Sequence, residues 1–311
     1  MNVAAKIDAG LSLGLTSYPC SGNRLHADPL VLVHGWGADS QIWHQLPDQL
    51  SQIADIITLD LPGCGGSPAI EDYSIAGLLD WMQQVLPERC SLLGLSLGGM
   101  LCHRFAEAFP GNVVSLITIS SNQQFVADQH YSAAMDESDF TAFLNSWQAD
   151  PATCLKHFAG LQAQGDHQQR QIMRQLRNLQ CSIEPESGAA LLRLLGNLQW
   201  GGEQIAVPAM YIFGQQDALV PVAAATLIPD SKVIENAGHL PHLSSPQSVV
   251  EAIRDFLERQ RYQLDKPRIA DSFGRAAPRY DSAAGLQHQV GEQLLQSIIG
   301  DPSQIMDLGC G

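Results

Sequence analysis

A serine at the start of a helical segment is the residue of this sequence whose setting most clearly predicts chemistry. The pattern G-x-S-x-G (94–98) follows the apolar run CSLLGLS (90–96) and opens the helical pattern SLGGMLCHRFAEAF (96–109). A nucleophile on a sharp strand-to-helix turn needs small residues two positions before and after it, because neighbouring backbones crowd that turn. The helix N-terminus also directs free amide groups towards an oxyanion. Although so short a motif also occurs by chance on loops, the flanking strand and helix favour Ser96 as a nucleophile.

A serine hydroxyl is a poor nucleophile unless a base accepts its proton and an acid orients that base. The segment FGQQDALVP places Asp217 just after an apolar run, and ENAGHLPH places His239 just after the next one. In the fold that carries its nucleophile on such a strand-to-helix turn, the residues follow in the order serine, acid, histidine. The sequence therefore predicts Ser96 as nucleophile, His239 as base and Asp217 as the orienting acid.

Four other residues compete for these roles. Asp60 ends a strand pattern, but it precedes Ser96 in sequence, whereas the acid should follow the serine. Asp230 begins a strand pattern and would therefore lie at the amino edge of the sheet, opposite the site. His242 lies three residues beyond His239, and we expect it to be a packing residue. His34 is expected to stabilise a turn in the opposite wall of the site.

The glycine-rich turn HGWG (34–37) directly follows the apolar run PLVLVH (29–34). A turn of this type allows the backbone amide of Trp36 to join the amide of Leu97 in binding the developing negative charge. The ring of Trp36 either lines an acyl pocket or packs in the core, and the sequence leaves both alternatives open.

Short apolar runs alternate with helical patterns over roughly the first 260 residues. Such runs, apolar on both faces, are typical of parallel strands buried between two layers of helices. The pattern predicts an α/β fold with an open, mostly parallel, doubly wound sheet. The predicted strands lie at 29–34, 55–60, 90–96, 113–120, 208–214 and 231–236.

The strand signal disappears between Ser120 and about Leu198. This stretch is rich in glutamine and helical in pattern, with breaks at Pro151, Gly165 and Pro185. An all-helical insertion between two strands predicts a cap, at about residues 121–198, over the carboxyl edge of the sheet, where open α/β folds bind ligands.

Composition narrows the class of protein. With 45% apolar and 16% charged residues, the 311-residue chain is expected to be globular. A net charge of −15 disfavours binding to nucleic acid or to an anionic membrane. Seven dispersed cysteines, without an export signal or a metal-binding spacing, predict reduced thiols, a cytoplasmic location and no metal site.

Five segments together resemble one family, the carboxylesterases of biotin synthesis that hydrolyse the methyl ester of pimeloyl-acyl-carrier protein. The resemblance covers roughly residues 28–258 and implies an α/β-hydrolase fold, a serine carboxylesterase with an acyl-enzyme intermediate, and no cofactor. The segments are HGWG, DLPGCGGS, GLSLGG, FGQQDALVP and NAGHLPH.

The same resemblance implies a use for the basic segment 151–180, which holds four basic residues and one acidic residue, a net +3. Arg170, Arg174 and Arg177 have the i, i+4, i+7 spacing of one helix face. In the family, arginines of this cap helix dock the acidic acyl carrier protein, and Phe158 stands where an apolar residue lines the acyl channel. The alternative is a solvated charged face without a partner.

The C-terminal segment has a different character. Residues 263–311 are helical and polar and lead into IMDLGCG, which resembles the start of the methyltransferase of the same pathway. That resemblance implies cofactor-binding positions for S-adenosylmethionine at Asp307, Gly309 and Gly311. We expect a hydrolase domain at 1–262 and a truncated methyltransferase fragment at 263–311 that neither folds independently nor transfers methyl groups.

Several rival functions use the same residues. A generic carboxylesterase or lipase-like hydrolase of small free esters shares the whole catalytic set, as do C–C bond hydrolases and cofactor-free haloperoxidases. A dehalogenase is disfavoured, because its nucleophile is an aspartate where this chain has Ser96. A binding module without catalysis and a protein that is mainly a methyltransferase are the remaining alternatives.

Overall fold

A seven-stranded sheet forms the centre of the protein. The computed structural model describes residues 14–179, 181–201 and 205–262, with backbone alone at 261 and 262. The sheet order is β1-β3-β2-β4-β5-β6-β7, with β1 antiparallel to β3 and the remaining pairs parallel. The strands are β1 (Leu15–Tyr18), β2 (Leu30–Val33), β3 (Ile56–Leu59), β4 (Cys90–Leu95), β5 (Val113–Ile119), β6 (Ala209–Gly214) and β7 (Ser231–Ile234).

This architecture confirms the predicted α/β fold and all six predicted strands. The edge strand β1 was not predicted, because its sequence LTSY is half-exposed and lacks the apolar run of a buried strand. Helices connect the parallel strands. They are α1 (Leu46–Leu50), α2 (Ile75–Val85), α3 (Leu97–Ala108), α4 (Glu137–Ala149), α5 (Pro151–Ala163), α6 (Gln169–Asn178), α7 (Pro185–Asn197), α8 (Pro241–Ser244) and α9 (Pro246–Tyr262), with 3₁₀ helices at Ser40–Trp43 and Val222–Thr226.

The sheet is buried on both faces, as a doubly wound fold requires. In β2, Val31 and Val33 pack into one hydrophobic cluster with α2 and α3. Leu30 and Leu32, which alternate with them, pack into a second cluster with α1 and α9. Within the part of the chain described, no helix is both long and apolar enough to cross a membrane.

Four consecutive helices, α4 to α7, lie between β5 and β6 and are called the cap helices below. Their boundaries coincide with the breaks read from the sequence. Pro151 and Pro185 occupy the first turns of α5 and α7, where a missing N–H costs nothing. Gly165 lies between α5 and α6 with a φ of +79°, a conformation that glycine adopts without steric cost.

The predicted domain division at residue 262 remains a prediction. The segment 263–311 lies outside the described residues, and with it lie the predicted cofactor positions Asp307, Gly309 and Gly311.

The first turn of α3 approaches the backbone of β2 so closely that only glycine fits. A Cβ atom on Gly98 would lie 2.2 Å from the carbonyl oxygen of Val33 and 2.4 Å from that of His34. Neither contact can be relieved by a side-chain rotation, because both involve backbone atoms. The position of Gly98 therefore sets how closely α3 packs against the sheet.

We expect Gly98→Ala to lower the free energy of unfolding by about 3 kcal/mol, because overpacking a rigid backbone contact forces the strand and the helix apart. Gly160→Ala is the matched control, since a Cβ there meets nothing within 4 Å inside α5. It should raise stability by about 0.5–1 kcal/mol through helix propensity. Urea unfolding of both variants measures the difference, and equal stabilities would contradict the packing role of Gly98.

Candidate active site

Ser96 occupies the single-residue turn between β4 and α3. Its backbone has a φ of +52° and a ψ of −118°, which is an unusual conformation for a residue with a side chain. The backbone is held on both sides: Ser96 N–H donates to Ile119 O over 2.9 Å, and Ser121 Oγ donates to Ser96 O over 2.9 Å. The hydroxyl of Ser96 makes no capping bond to the helix, so the turn presents this hydroxyl at the carboxyl edge of the sheet.

Small residues around Ser96 make this turn possible. A Cβ on Gly94 would lie 2.4 Å from the backbone of Gly99, and a Cβ on Gly35 would lie 3.1 Å from the Cβ of Ser96. The second contact brings the HGWG turn directly beside the serine.

His239 and Asp217 form a buried pair. Asp217 lies in the loop after β6 and His239 in the loop after β7, and neither side chain is exposed. The Nδ1 atom of His239 lies 2.9 Å from Asp217 Oδ2 and 3.1 Å from Oδ1. An ionised carboxylate only accepts hydrogen bonds, so Nδ1 carries the proton that this pair shares.

This pairing leaves the second ring nitrogen of His239 available. Its Nε2 atom is buried and has no hydrogen-bond partner among the described residues. A neutral imidazole with the proton on Nδ1 has a lone pair on Nε2 and can act as a base. Asp217 is itself held in place, because its Oδ1 accepts from the N–H groups of Leu219 and Val220 over 2.8 and 3.0 Å.

His34 determines the geometry of the HGWG turn. Its Nε2 accepts from the N–H of Leu61 over 2.9 Å, so its Nδ1 must carry the proton and donate to Gly35 O over 2.8 Å. Burial lowers the pKa of His34, which keeps the ring neutral. The N–H of Trp36 belongs to the same planar peptide as the Gly35 carbonyl, so this bond also fixes the direction in which that N–H points.

The ring of Trp36 packs between the turn and the cap helices. It makes edge-to-face contacts with Phe143, Trp147 and Phe158, each at a centroid distance of 5.0 Å, and its Nε1 donates to Gly188 O over 2.8 Å. Of the two alternatives that the sequence left open, the structure favours packing, because this ring is 1% exposed.

Phe158 lies between two cavities beneath and beside the cap helices. A cavity of about 610 Å³ is lined by Phe143, Phe158 and Leu219, two residues beyond Asp217, and has Asp136 and Asp139 in its wall. A second cavity of about 400 Å³ is lined by Gly37 and Phe158 and has Lys156 and Arg177 in its wall. Both cavities therefore adjoin the predicted catalytic loops and differ in the sign of their charged residues.

The competing residues have other partners. Asp60 holds two loops together, accepting from Ser40 N–H over 2.7 Å and Gly66 N–H over 2.8 Å. Asp230 precedes β7, at the start of that strand and away from its carboxyl end. His242 is a packing residue, since its ring lies 5.4 Å from that of Trp43 and its Nε2 lies 3.1 Å from Ile42 O.

Arg170, Arg174 and Arg177 all lie exposed on α6. The opposite side of the helix is anchored by Ile172, which is fully buried in the second hydrophobic cluster. The predicted i, i+4, i+7 face is therefore a solvent-facing cationic surface on the cap helices.

Asp166 is a residue that the sequence reasoning missed as part of the site. It lies between α5 and α6, its side chain is fully buried, and its carboxylate contacts the loop of His239. The available signal was its isolation, because it is the one acidic residue of a basic segment and follows a glycine.

The sequence matches the alpha/beta hydrolase family over residues 30–252. The chain belongs to this family. It is 39% identical, over 91% of its length, to the biotin biosynthesis bifunctional protein BioHC of Cellvibrio japonicus, of which it covers 58%. It is 35% identical to the pimeloyl-[acyl-carrier protein] methyl ester esterase of Aeromonas salmonicida, with 73% of this chain and 94% of that protein aligned.

The chain spans little more than half the length of the bifunctional relatives that it matches, between 52% and 58%. Among solved structures, an esterase from Exiguobacterium antarcticum superposes with a TM-score of 0.64 at 19% identity, over 78% of this chain and 94% of that one. MenH from S. aureus superposes with a TM-score of 0.60 at 21% identity, over 79% and 98%. At these identities the superpositions bear on the fold, and they agree with the α/β-hydrolase architecture.

Next to the site, His242 makes stability depend on pH. Burial lowers its pKa to about 4, and the neighbouring imidazoles of His239 and His44 act in the same direction against the bond to Ile42. The imidazole of His242 therefore binds a proton more tightly in the unfolded chain than in the folded protein. Its contribution to the free energy of unfolding is fully present above about pH 6.5 and is lost as the pH drops towards 4.

Glutamine in place of His242 retains a donor for Ile42 O but does not titrate. We therefore expect His242→Gln to remove the loss of unfolding free energy that protonation of His242 causes at low pH. Between pH 7 and pH 5 the wild-type protein should lose about 2 kcal/mol more unfolding free energy than the variant. Denaturant unfolding at the two pH values measures this, with the exposed His130 changed to Gln as control. The same pH dependence in His242→Gln and wild type would refute the assignment.

Proposed function

We propose that this chain is a serine carboxylesterase with Ser96 as nucleophile, His239 as general base and Asp217 as the acid that orients the base. The observation that carries the proposal is the buried His239–Asp217 pair, whose free Nε2 lies at the same sheet edge as the strained Ser96 turn. The esterases among the relatives support the same reaction class.

The reaction proceeds through an acyl-enzyme. Ser96 Oγ attacks the ester carbonyl carbon while its proton passes to Nε2 of His239, and Asp217 stabilises the imidazolium that forms. The N–H groups of Trp36 and Leu97 donate to the oxyanion. The tetrahedral intermediate then collapses, the bond to the alcohol breaks, and His239 returns the proton to the leaving methanol. Water repeats the sequence on the acyl-enzyme and releases the carboxylic acid.

Two features of this chain supply the oxyanion donors. The amide of Leu97 belongs to the first turn of α3, where N–H groups have no partner within the helix and the dipole favours negative charge. The amide of Trp36 is oriented by the bond between His34 and the Gly35 carbonyl. A donor that is already in position stabilises the oxyanion without reorganisation during the reaction.

We infer that the substrate is the methyl ester of pimeloyl-acyl-carrier protein, as in the relatives named for that activity. The positive charge of α6 supports a carrier-bound ester. Arg170, Arg174 and Arg177 are exposed on α6 in a chain whose net charge is −15. An acidic carrier protein would be attracted to this face and repelled by much of the remaining surface.

The cavity beside α6 supports the same substrate. Lys156 and Arg177 lie in its wall and Phe158 reaches its apolar interior. If the linker between the carrier protein and the acyl chain carries a phosphate group, that group meets positive charge in this cavity, and the acyl chain meets the ring of Phe158. We propose Phe158 as an acyl-chain contact and the arginine face as the carrier-docking surface.

We further propose that residues 263–311 are the beginning of a methyltransferase domain, as their resemblance to the methyltransferase of the same pathway implies, and that the bifunctional relatives share this segment. A match over 91% of this chain has to include part of that segment. S-adenosylmethionine is implied for a complete domain of that kind, whereas the esterase reaction above proceeds through protein groups and water.

We expect Ser96→Ala to lower kcat for a simple aryl ester by about 10⁴–10⁶-fold, because no other group replaces the attacking oxygen. The variant should also lose covalent labelling by a fluorophosphonate. Ser115→Ala is the control: Ser115 is also buried, but its hydroxyl bonds to Ser91 inside the sheet, so turnover and labelling should persist. Turnover by Ser96→Ala at the wild-type rate would refute the proposed nucleophile.

Reversing the charge of Arg170 and Arg174 to Glu should lower kcat/KM for the carrier-bound methyl ester by about 10-fold or more at low salt, because electrostatic steering is lost. Hydrolysis of the free methyl ester should change by less than about twofold. In the control variant the exposed Arg254 and Arg259 of α9 are changed to Glu, which alters the net charge of the protein by the same amount. Equal losses on both substrates would remove the docking role and favour a small-ester hydrolase.

A further inference from the structure

The connection between α5 and α6 contains a carboxylate with no exposed surface. Asp166 Oδ1 accepts from Gln168 N–H over 2.7 Å, and Asp166 Oδ2 accepts from Gly238 N–H over 2.7 Å. The Nδ1 atom of His167 lies 3.4 Å from Oδ1. A buried carboxylate is costly unless hydrogen bonds satisfy it, and bonds from N–H groups to an ionised oxygen are short and strong. The bond to Gly238 therefore joins the cap helices to the backbone immediately before His239.

Other contacts bind the same connection to the same loop. The N–H of His167 donates to Asn236 O over 3.0 Å, and His167 Nδ1 lies 3.0 Å from that oxygen. Gln168 Nε2 donates to Ser244 O over 2.7 Å. Residues on both sides of His239 are thus bonded to the segment that leads into α6.

The loop of Asp217 also contacts both the connection between α5 and α6 and the loop of His239. A Cβ on Gly165 would lie 2.7 Å from Gln216 O, and Gln216 N–H donates to Ala237 O over 2.8 Å. A Cβ on Gly214 would lie 1.9 Å from Gly238 O. The peptide before His239 therefore lies between the end of β6 and the side chain of Asp166.

We propose that Asp166 is a positioning residue that holds the His239 loop in its working geometry from the cap helices. This inference rests on the proposed esterase function and adds a physical link to it. The same short connection begins α6, whose exposed arginines form the proposed docking surface.

The alternative is that Asp166 only stabilises the turn before α6, which begins at Gln169 with Gln168 as its N-cap. The two roles differ in what is lost. A weakened turn lowers stability, whereas a displaced imidazole lowers kcat while leaving substrate binding unchanged, because proton transfer depends on the Nε2 position.

The test is Asp166→Asn in the full chain, assayed with a free methyl or aryl ester. An asparagine offers one acceptor oxygen, so either Gly238 or Gln168 N–H faces an amide group and one bond is broken. We expect kcat to fall about 10- to 100-fold with KM within twofold of wild type. The rate of fluorophosphonate labelling at Ser96 should fall with kcat.

The matched control is Asp150→Asn. Asp150 is the exposed N-cap of α5 and also accepts from backbone N–H groups, those of Ala152 and Thr153 over 3.0 and 3.2 Å, but its bonds stay within its own helix end. It should lower the melting temperature and leave kcat unchanged. An Asp166→Asn variant that keeps the wild-type kcat, or that loses no more activity than Asp150→Asn, would overturn the proposal.

Gly238→Ala keeps the proposal testable if Asp166→Asn does not fold. The added methyl group would lie 3.2 Å from Asp166 Cβ and 3.3 Å from Gln164 O, which pushes the loop and the cap connection apart. It should reduce kcat at constant KM, and an unchanged kcat would again contradict the inference. Turnover retained by Ser96→Ala would instead refute the esterase function itself, so the two failures are distinguishable.

Discussion

The rest of the site depends on the close approach of backbones around Ser96. The residue adopts a positive φ, a conformation that costs about 1–3 kcal/mol for a residue with a side chain and persists only when its surroundings enforce it. Gly94 and Gly98 allow the neighbouring chains to approach, and bonds to Ile119 and Ser121 hold the serine peptide groups from β5 and beyond. This backbone conformation places Ser96 on the turn between β4 and α3, at the carboxyl edge of the sheet.

The cap helices contact the proposed catalytic loops at two separate places. At one, the indole of Trp36 is bonded to Gly188 on α7 and surrounded by aromatic rings from α4 and α5. At the other, Asp166 is bonded to Gly238. The first contact supports the turn that carries Trp36, the proposed oxyanion donor, and the second supports the loop of His239, the proposed base. The cap helices therefore contact both segments that the proposed reaction requires.

Segment 151–180, which includes α5 and α6, differs in charge from the remainder of the protein. Segment 151–180 has a net charge of +3 by composition, and its single acidic residue, Asp166, is buried and bonded to backbone N–H groups. The exposed side chains of Arg170 and Arg174 are thus not offset by an acidic residue of their own segment. Long-range attraction of an anionic partner to this face follows from Coulomb's law and weakens with salt.

Local pattern by itself determined the strands, the serine turn and the pairing of Asp217 with His239. Buried parallel strands are apolar on both faces, and the carboxyl ends of such strands meet at one edge, so residues that follow them converge there. Only the tertiary structure decided that Trp36 is a packing residue and that Asp166 reaches Gly238, because both depend on contacts between segments far apart in sequence. Sequence spacing specifies which face of an element a residue occupies, whereas the element packed against that face depends on how the whole chain folds.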